Sequence, residues 1–411
     1  MRSQVEVSSR FLCVAERSLH LPAVGSLGEK ERPVAAVFES ALFGKMQGQL
    51  SPAIIPNPTN FLSIFSIGFR TSSYERKDAM RAWLMDSYDG VEKLRLDEVP
   101  APQPGPGQVL ISLKYAALNP ADAFLAINQY PAKPKLPHIL GRDGVGEVVA
   151  IGDGVQNVHL GDIVSILRGD TGVEAWGTLA DKVVVDSAHV TPIPRGWSLE
   201  EAAGAPLVYL TAWQALTQWS NPPAPPPEGS VLLVTGASGG VGSAAVLLGK
   251  SLGLTVVGLS RSKEKGQKLK ELGADFVFDP NEKGLRKTVL AAISPKRIDI
   301  VVDSVGGALF NEVIAMLGYA GRVSVVGRSG GPVPEFNTAT LFFRRNRIGG
   351  VTVADYSSDE AKASFEQIVT RLNAMGKRPV VDSVFPFADV KKAFARLAEG
   401  PMGKVLVKVP D

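Results

Sequence analysis

A glycine-rich turn between two apolar segments constrains this chain more than any other feature. Val231–Val234 is followed by glycines at positions 236, 239, 240 and 242, an apolar helical segment and a second apolar strand, Leu254–Leu259. Glycines at this G-x-x-G-x-x-G spacing allow a tight turn and let a phosphate approach the backbone, while the following helix directs free N–H groups at the anion. A glycine turn can be only a turn, but these flanking segments predict the pyrophosphate site of a dinucleotide.

The residues after the second strand indicate which dinucleotide is bound. NAD binding usually places a carboxylate about 20 residues beyond the glycines. This chain instead has Ser260, Arg261 and Lys265 there. Hydroxyls and cations suit the 2′-phosphate of NADP, and solvated surface charge is the alternative interpretation of the two cations.

Composition is that of an ordinary globular protein and excludes several function classes. The 411 residues predict two or three domains, and the net charge of +3 gives no indication of a nucleic-acid or anionic-membrane partner. The single cysteine, Cys13, excludes an internal disulfide and multi-cysteine zinc sites. No apolar run approaches the ~20 residues of a transmembrane helix.

The pattern of apolar residues divides the chain into four segments. Residues 1–79 lack clear periodicity and are interpreted as an N-terminal extension, either a disordered tail or a wrongly assigned start, with Met80 as the alternative start. A mitochondrial transit peptide is the other option, although several acidic residues argue against it. Cytoplasmic location is therefore expected, with mitochondrial location as the alternative. The remaining segments are 80–205, 206–347 and 348–411.

Two kinds of element pattern follow Met80. Many short strands with Gly/Pro turns predict a partly open barrel in residues 80–205, and a helical pattern covers Leu199–Trp219. From Val231, strands and helices alternate as in a doubly wound parallel sheet. Residues 348–411 return to short strands and two helices. The fold class is therefore α/β, with a Rossmann-type sheet inserted into a barrel domain.

Several motifs in this order resemble the medium-chain dehydrogenase/reductase superfamily, in its zinc-independent quinone oxidoreductase and enoyl reductase-like branch. They are Asn119-Pro-Ala-Asp122, Gly141-Arg-Asp-Gly-Val-Gly146, Pro206–Thr211, the glycine turn, Asp303-Ser-Val-Gly-Gly307 and Gly403-Lys-Val-Leu-Val407. The resemblance covers residues 80–411. It implies that the barrel is GroES-like and that two copies form a homodimer by pairing sheet edges, for which Arg322–Gly327 is the expected edge.

The resemblance also implies catalytic residues. Asn119 is expected near the nicotinamide and substrate, although an Asn-Pro pair can simply shape a turn. Asp122 is expected to orient polar groups or to begin a helix. Tyr130 matches a tyrosine implicated in catalysis in enoyl-thioester reductases, and its phenol could supply a proton; a half-buried aromatic side chain is the alternative.

Further residues are expected to contact the cofactor because they lie in the turn, at strand ends or at positions that the resemblance indicates. They are Thr211, Gly236, Ser238, Gly239, Gly240, Val241, Ser260, Arg261, Lys265, Ser304, Val305, Val326, Gly327, Val351, Thr352 and Lys404. Lys404 is expected to reach a phosphate, and structural capping is an equal alternative for Thr211.

No metal site is expected. The positions that match the catalytic zinc ligands of related alcohol dehydrogenases carry Asn119, Arg142 and Leu207. A guanidinium repels Zn²⁺ and leucine has no lone pair to donate. Arg142 is expected to form a salt bridge with Asp143 or another nearby acid, or to fill the empty zinc region.

The sequence therefore predicts an NADPH-dependent reductase of quinones, enones or other activated alkenes. An enoyl-thioester reductase is one alternative; for a coenzyme A or carrier-protein thioester, Lys133 and Lys135 would be candidate contacts. A non-enzymatic NADPH-binding redox sensor is the alternative from another class.

Overall fold

The computed structural model describes residues 79–332 and 335–410. The chain divides into two units, Met1–Ser73 and Tyr74–Asp411, and the described residues all belong to the second. The interpretation of residues 1–79 as an extension, with its transit-peptide alternative, concerns residues that lie outside the described part, apart from Ala79.

The first part of the described chain is a strand-rich domain. Its elements are β1 (Ala79–Met85), β2 (Arg95–Pro100), β3 (Gln108–Ala117), α1 (Pro120–Ala126), β4 (His138–Ile139), β5 (Asp143–Ile151), β6 (Ile163–Ile166), β7 (Lys182–Asp186), β8 (Val190–Pro192) and α2 (Leu199–Gly204). Strand β3 pairs antiparallel with both β5 and β7, while β1 lies between β2 and β4 in a smaller sheet.

The second part alternates strands and helices. Its elements are α3 (Pro206–Thr217), β9 (Val231–Val234), α4 (Gly240–Ser251), β10 (Thr255–Leu259), α5 (Lys263–Leu272), β11 (Phe276–Phe278), α6 (Leu285–Ala292), β12 (Ile298–Asp303), α7 (Leu309–Met316), β13 (Leu317–Val325), α8 (Ala339–Phe342) and β14 (Arg347–Gly350). All six strands are parallel, in the order β11-β10-β9-β12-β13-β14. This is the dinucleotide-binding order, in which the direction of winding reverses between β9 and β12.

The central strand β9 shows why this sheet is stable. All four of its residues are fully buried, as expected for a parallel strand covered by helices on both faces. Successive side chains point to opposite faces, so Leu232 and Val234 join one apolar cluster while Val231 and Leu233 join another. A continuous apolar run thus supplies two cores at once.

The chain then returns to the first domain. Its last elements are α9 (Ser358–Ala374), β15 (Val381–Pro386), α10 (Val390–Ala398) and β16 (Lys404–Lys408). Strand β16 pairs with β3 and so extends the large antiparallel sheet. The predicted fold class, a Rossmann sheet inserted into a GroES-like domain, is confirmed.

One expectation needs correction. Residues Arg322–Gly327 are not the edge of the parallel sheet, because β13 lies between β12 and β14 and the edge strand is β14. The helical pattern predicted over Leu199–Trp219 is present and forms two helices, since α2 ends before Ala205 and α3 starts at Pro206. Proline lacks the N–H that would continue a helix and fits the first turn of a new one.

Candidate active site

The predicted phosphate turn connects β9 to α4. Gly236 has φ of +56°, a conformation that glycine adopts without strain. A Cβ at Gly242 would clash with the carbonyl oxygen of Gly236 and lie 2.7 Å from Cα of Ala237, so turn and helix pack too closely for any side chain there. The predicted contacts Gly236, Ser238, Gly239, Gly240 and Val241 all lie in this turn or in the first residues of α4.

The ends of neighbouring strands lie beside this turn. Asp303 at the end of β12 is fully buried, accepts a 2.5 Å hydrogen bond from Thr235 Oγ1 and accepts further bonds from the amides of Val305 and Gly306. A Cβ at Gly236 would lie 3.3 Å from Val305 Cγ2 and 3.6 Å from Ser304 Cβ. The parallel register therefore brings Ser304 and Val305 to the turn, as their position at a strand end predicts.

The other strand-end residues follow the same edge. Val326 donates its amide to the carbonyl of Asp303, and Val351 donates to the carbonyl of Val325. Gly327 passes close to the backbone of Ser304. A Cβ at Gly327 would lie 3.1 Å from the carbonyl oxygen of Ser304. Thr352 is exposed next to Val351. Within the described residues, the hydroxyl oxygen of Ser304 is buried and has no hydrogen-bond partner.

The two cations that follow β10, Arg261 and Lys265, differ in exposure and in hydrogen bonding. Ser262 caps α5 by accepting from the amide of Lys265, while Arg261 is exposed. The Lys265 ammonium donates to the carbonyl of Gly400. Within residues 79–332 and 335–410, the Arg261 side chain makes no such hydrogen bond, whereas Lys265 does. Ser260 lies at the end of β10 beside them.

A buried polar cluster lies on the other side of the turn. Lys404 Nζ donates to Asn119 Oδ1 at 2.6 Å and to Asp143 Oδ2 at 2.9 Å, and Asn119 Nδ2 donates to the same Asp143 oxygen at 2.9 Å. The other oxygen of Asp143 accepts from the amide of Leu207. All three side chains of the cluster are at least 95 % buried. Both ends of the Asn119 amide are therefore fixed by charged neighbours.

Lys404 connects this cluster to the turn. A Cβ at Gly240 would lie 3.3 Å from Lys404 Cδ, so the lysine stem runs along the start of α4. The preceding residue, Gly403, donates its amide to the carbonyl of Ser238 at 2.8 Å. The start of β16 thus contacts both the phosphate turn and the polar cluster. The Lys404 ammonium faces Asn119 and Asp143, and its predicted contact with a phosphate stays a prediction.

Asp122, Arg142 and Tyr130 extend the cluster outward. Asp122 Oδ2 accepts from the amide of Asn119 at 2.8 Å, and its Oδ1 lies 3.6 Å from Arg142 Nε. The guanidinium in turn donates to the phenol oxygen of Tyr130 at 3.0 Å and lies over its ring, 4.4 Å from the centroid. Burial raises the pKa of Asp122 to about 6, and the Arg142 charge opposes that rise.

Two family models match the chain. One describes an alcohol dehydrogenase GroES-like domain and matches residues 105–195; the other describes a zinc-binding dehydrogenase and matches residues 240–373. The quinone oxidoreductase of Lama guanicoe is 30% identical over 335 residues, which cover 80% of this chain and 97% of the relative. The human synaptic vesicle membrane protein VAT-1 homolog is 31% identical over 350 residues, 80% of this chain and 86% of the relative.

The chain belongs to the medium-chain dehydrogenase/reductase superfamily. Solved structures of the superfamily agree with this assignment. A protein described as an NAD-dependent alcohol dehydrogenase superposes with a TM-score of 0.74 at 32% identity, covering 80% of this chain and all of that one. A mycobacterial protein solved with NADPH gives a TM-score of 0.72 at 25% identity and covers 80% and 99% of the two chains. The predicted resemblance to the quinone oxidoreductase-like branch is confirmed, and with it a nicotinamide-dependent oxidoreductase family.

The zinc in one family model's description does not fit the side chains of this superfamily member. Arg142 and Lys404 bring two cations to the site, and both ends of the Asn119 amide already have partners. Leu207 offers no donor in its side chain. Across residues 79–332 and 335–410, no group of three or more His, Cys, Asp or Glu residues could hold a metal ion. No step of the chemistry is therefore assigned to a metal.

Sequence reasoning about this superfamily site missed the role of Asp143. For Arg142 it expected a salt bridge with Asp143 or another nearby acid, and the acid is Asp122. Asp143 bonds Lys404 and Asn119, whereas Arg142 pairs with Asp122. Asp143 begins β5, whereas Arg142 lies just before that strand. Thr211 donates its hydroxyl to the carbonyl of Leu207, one turn earlier inside α3, a bond that threonine commonly makes within helices.

One further result concerns membranes. None of the helices in the described part of the chain is both long enough and apolar enough to cross a bilayer.

Proposed function

We propose that this protein is a metal-independent, NADPH-dependent reductase of conjugated carbonyl compounds, namely quinones, enones and other activated alkenes. One observation carries the proposal: a continuous set of contacts leads from the phosphate turn to a phenol. It runs through Lys404, Asn119, Asp122 and Arg142 to Tyr130. These residues supply polar groups for orientation and for a proton, and they include no set of metal ligands.

The chemistry of the acceptor follows from these side chains. When bound, a reduced nicotinamide nucleotide would supply a hydride. A simple ketone needs a strong electrophile at its oxygen, whereas a conjugated carbonyl already delocalises the added electron pair onto oxygen. A hydrogen-bond donor near that oxygen is then enough to stabilise the developing charge. The donor set therefore favours enones and quinones over unactivated ketones.

Each catalytic candidate has a separate task in this proposal. Tyr130 donates its phenolic proton to the carbonyl oxygen of the substrate. Asn119, held on both ends by Lys404 and Asp143, forms a rigid polar wall beside the phosphate turn. Asp122 holds the first turn of α1 through the Asn119 amide and supplies a negative charge beside Arg142.

Support for NADPH comes from the end of β10. Arg261 is exposed there, and no carboxylate occupies the position that would receive a ribose 2′-hydroxyl. Guanidinium groups bind phosphate through paired hydrogen bonds. Arg261 would therefore hold the 2′-phosphate, while Lys265, which contacts the Gly400 carbonyl, would contribute less.

The decisive experiment mixes the purified protein with NADPH and a panel of acceptors, following the absorbance of the reduced nicotinamide. The panel contains a quinone, an α,β-unsaturated ketone, a crotonyl thioester and an unactivated ketone. Turnover of the first two above the last supports the proposal. Preference for the thioester identifies an enoyl-thioester reductase instead. Tight NADPH binding with no turnover would mean a binding protein such as a redox sensor.

The cofactor assignment has its own test. Arg261→Ala should raise KM for NADPH roughly tenfold while leaving KM for NADH nearly unchanged, because a lost charge-assisted hydrogen bond is worth about 1.5–3 kcal/mol. Lys265→Ala, alone and combined with Arg261→Ala, separates the contribution of the second cation. Lys268→Ala is the matched control, since that lysine lies on the same helix and pairs with Glu264. Equal changes for NADPH and NADH would rule out a role of Arg261 with the 2′-phosphate.

A further inference from the structure

Among the described residues, one side chain forms a hydrogen bond with the phenol oxygen of Tyr130. Arg142 donates to it at 3.0 Å, and the guanidinium lies against the face of the same ring. Only 12% of the Arg142 side chain is exposed. The nearby cation Lys133 donates to the backbone carbonyl of Tyr130 and not to the phenol oxygen. Within the described residues, no protein group accepts the proton of the phenol.

The direction of this hydrogen bond determines where the phenolic proton can go. Arginine carries only donors, whereas a phenol has one proton and lone pairs that accept. The hydrogen bond from Arg142 therefore occupies a lone pair of the phenol oxygen, and the phenolic proton of Tyr130 can still be donated to another acceptor. An acceptor at position 142 would have the opposite effect, because it would consume that proton.

The carboxylate of Asp122 balances the positive charge of Arg142. The carboxylate of Asp122 is fully buried, lies 3.6 Å from Arg142 Nε and is anchored by the Asn119 amide. Nε and the second terminal nitrogen of Arg142 have no hydrogen-bond partner in the part of the chain that the structure describes. The guanidinium is thus held by its ion pair with Asp122 and by stacking, and its hydrogen bond is directed to Tyr130.

We propose that Arg142 is a positioning residue that keeps the hydroxyl proton of Tyr130 available for the carbonyl oxygen of the substrate. The proposal rests on the proposed function. When a hydride adds to the β-carbon of an enone, a C–H bond forms there and the electron pair of the C=C bond shifts toward the carbonyl carbon. The carbonyl π pair moves to oxygen, which takes the proton as the O–H bond of Tyr130 breaks.

The product of this step is an enol, which is two electrons more reduced than the enone. A bound reduced nicotinamide nucleotide would supply these two electrons with the hydride. The phenolate left on Tyr130 lies beside the Arg142 guanidinium and regains a proton from water. The same guanidinium therefore orients the phenol before the transfer and faces its negative charge afterwards. Asp122 keeps the pair neutral overall in the resting site.

A double-mutant cycle on positions 130 and 142 tests whether Arg142 acts through the phenol. Tyr130→Phe should lower kcat for an enone by about 100-fold or more, as loss of a general acid does. Arg142→Met should lower kcat roughly tenfold, with little change in the Kd for NADPH. In the Tyr130→Phe background, Arg142→Met should cost less than about twofold, because the group it positions is gone.

Conservative and opposite replacements sharpen the test. Arg142→Lys, which keeps a donor and the charge, should restore most of kcat. Arg142→Glu introduces a hydrogen-bond acceptor, so its kcat should be lower than that of Arg142→Met. If loss of the charge unfolds the protein by leaving Asp122 unpaired, the cycle is run with Arg142→Met and Asp122→Asn together, against Asp122→Asn alone. Equal losses from the position-142 replacement with and without the phenol would overturn the proposal.

A measurement without turnover gives a second readout. Calorimetry of the NADP⁺-loaded protein with 4-phenyl-2-butanone, a saturated ketone that cannot accept a hydride by conjugate addition, reports the hydrogen bond to its carbonyl. Tyr130→Phe and Arg142→Met should each weaken binding, and their effects should not add. Additive effects contradict the proposal even if the wild-type protein reduces enones, whereas failure of every acceptor in the panel overturns the proposed function first.

Discussion

The phosphate turn and the Asn119–Asp143–Lys404 cluster lie side by side but are built in opposite ways. The turn is made of backbone: its glycines are close in sequence, and a Cβ at Gly242 would clash with it. The cluster is made of side chains, and Lys404 is 285 residues away from Asn119 along the chain. One region depends on local conformation, and the other depends on the whole domain being assembled.

Because of this difference, the two regions are sensitive to different kinds of substitution. Burying charged groups costs free energy unless each has a partner, so the cluster is stable only as a complete set. The turn buries no charge, and its weakness is steric. Substitutions that remove a partner should therefore affect the cluster most, while substitutions that add volume should affect the turn.

The largest effect is expected from Lys404→Met. The variant leaves the buried Asp143 carboxylate without its cation, and the free energy of unfolding should fall by about 3–5 kcal/mol. Urea denaturation measures it. Lys250→Met is the matched control, because Lys250 pairs with Asp275 at 2.7 Å but at the surface, where such a pair is worth less than about 1 kcal/mol. Similar losses in both variants would show that burial does not distinguish the pairs.

A pH-dependent effect of intermediate size is expected at Asp122. Its pKa is raised to about 6, so the folded state holds a proton that the unfolded state loses near pH 4. The contribution of Asp122 to the free energy of unfolding is therefore fully present below pH 4. It decreases by roughly 3 kcal/mol as the pH rises from 4 through 6. Unfolding free energies of the wild type and Asp122→Asn, compared at several pH values, should differ by an amount that changes over this window. A constant difference would show that Asp122 does not titrate there.

A smaller loss of stability is expected from Gly242→Ala in the turn. The added methyl would clash with the Gly236 carbonyl, and overpacking of this kind costs about 1–3 kcal/mol. Binding of NADPH, followed by its fluorescence, should weaken as the turn shifts. Gly239→Ala is the control for stability, since its Cβ would lie 3.4 Å from the same oxygen and its φ is −72°. The comparison fails if Gly239→Ala destabilises the protein as much as Gly242→Ala.

The turn and the fold could be predicted from sequence because their signals are local. Apolar runs such as Val231–Val234 and the glycines after them identify strand, turn and helix directly. Short strands with Gly/Pro turns predicted the barrel, and the family motifs implied that it is GroES-like. Even there, sheet order was harder: β14 is short and partly exposed, so the position of the edge could not be read from its pattern.

The partners within the cluster could not be predicted in the same way. Sequence placed Asn119, Asp122 and Tyr130 in the site, but no spacing rule links them to a lysine near the C-terminal strand. Arg142 and Asp143 are adjacent, which suggested a pair with Asp143 or another nearby acid, and the sequence did not indicate that this acid is Asp122. Pairing between distant charges depends on tertiary packing, and only the structure contains that information.

The position of β16 has a consequence for synthesis on the ribosome. Gly403 bonds the turn at Ser238, and Lys404 completes the cluster around Asn119. The strands of the parallel sheet are encoded before residue 351, and the buried core on one of its faces consists of residues 231–323, so that face can begin to fold as the chain emerges. Until residue 404 leaves the exit tunnel, however, Asp143 has no cation and the turn lacks its neighbouring strand. A nascent chain would therefore acquire its nucleotide fold early and its chemistry late.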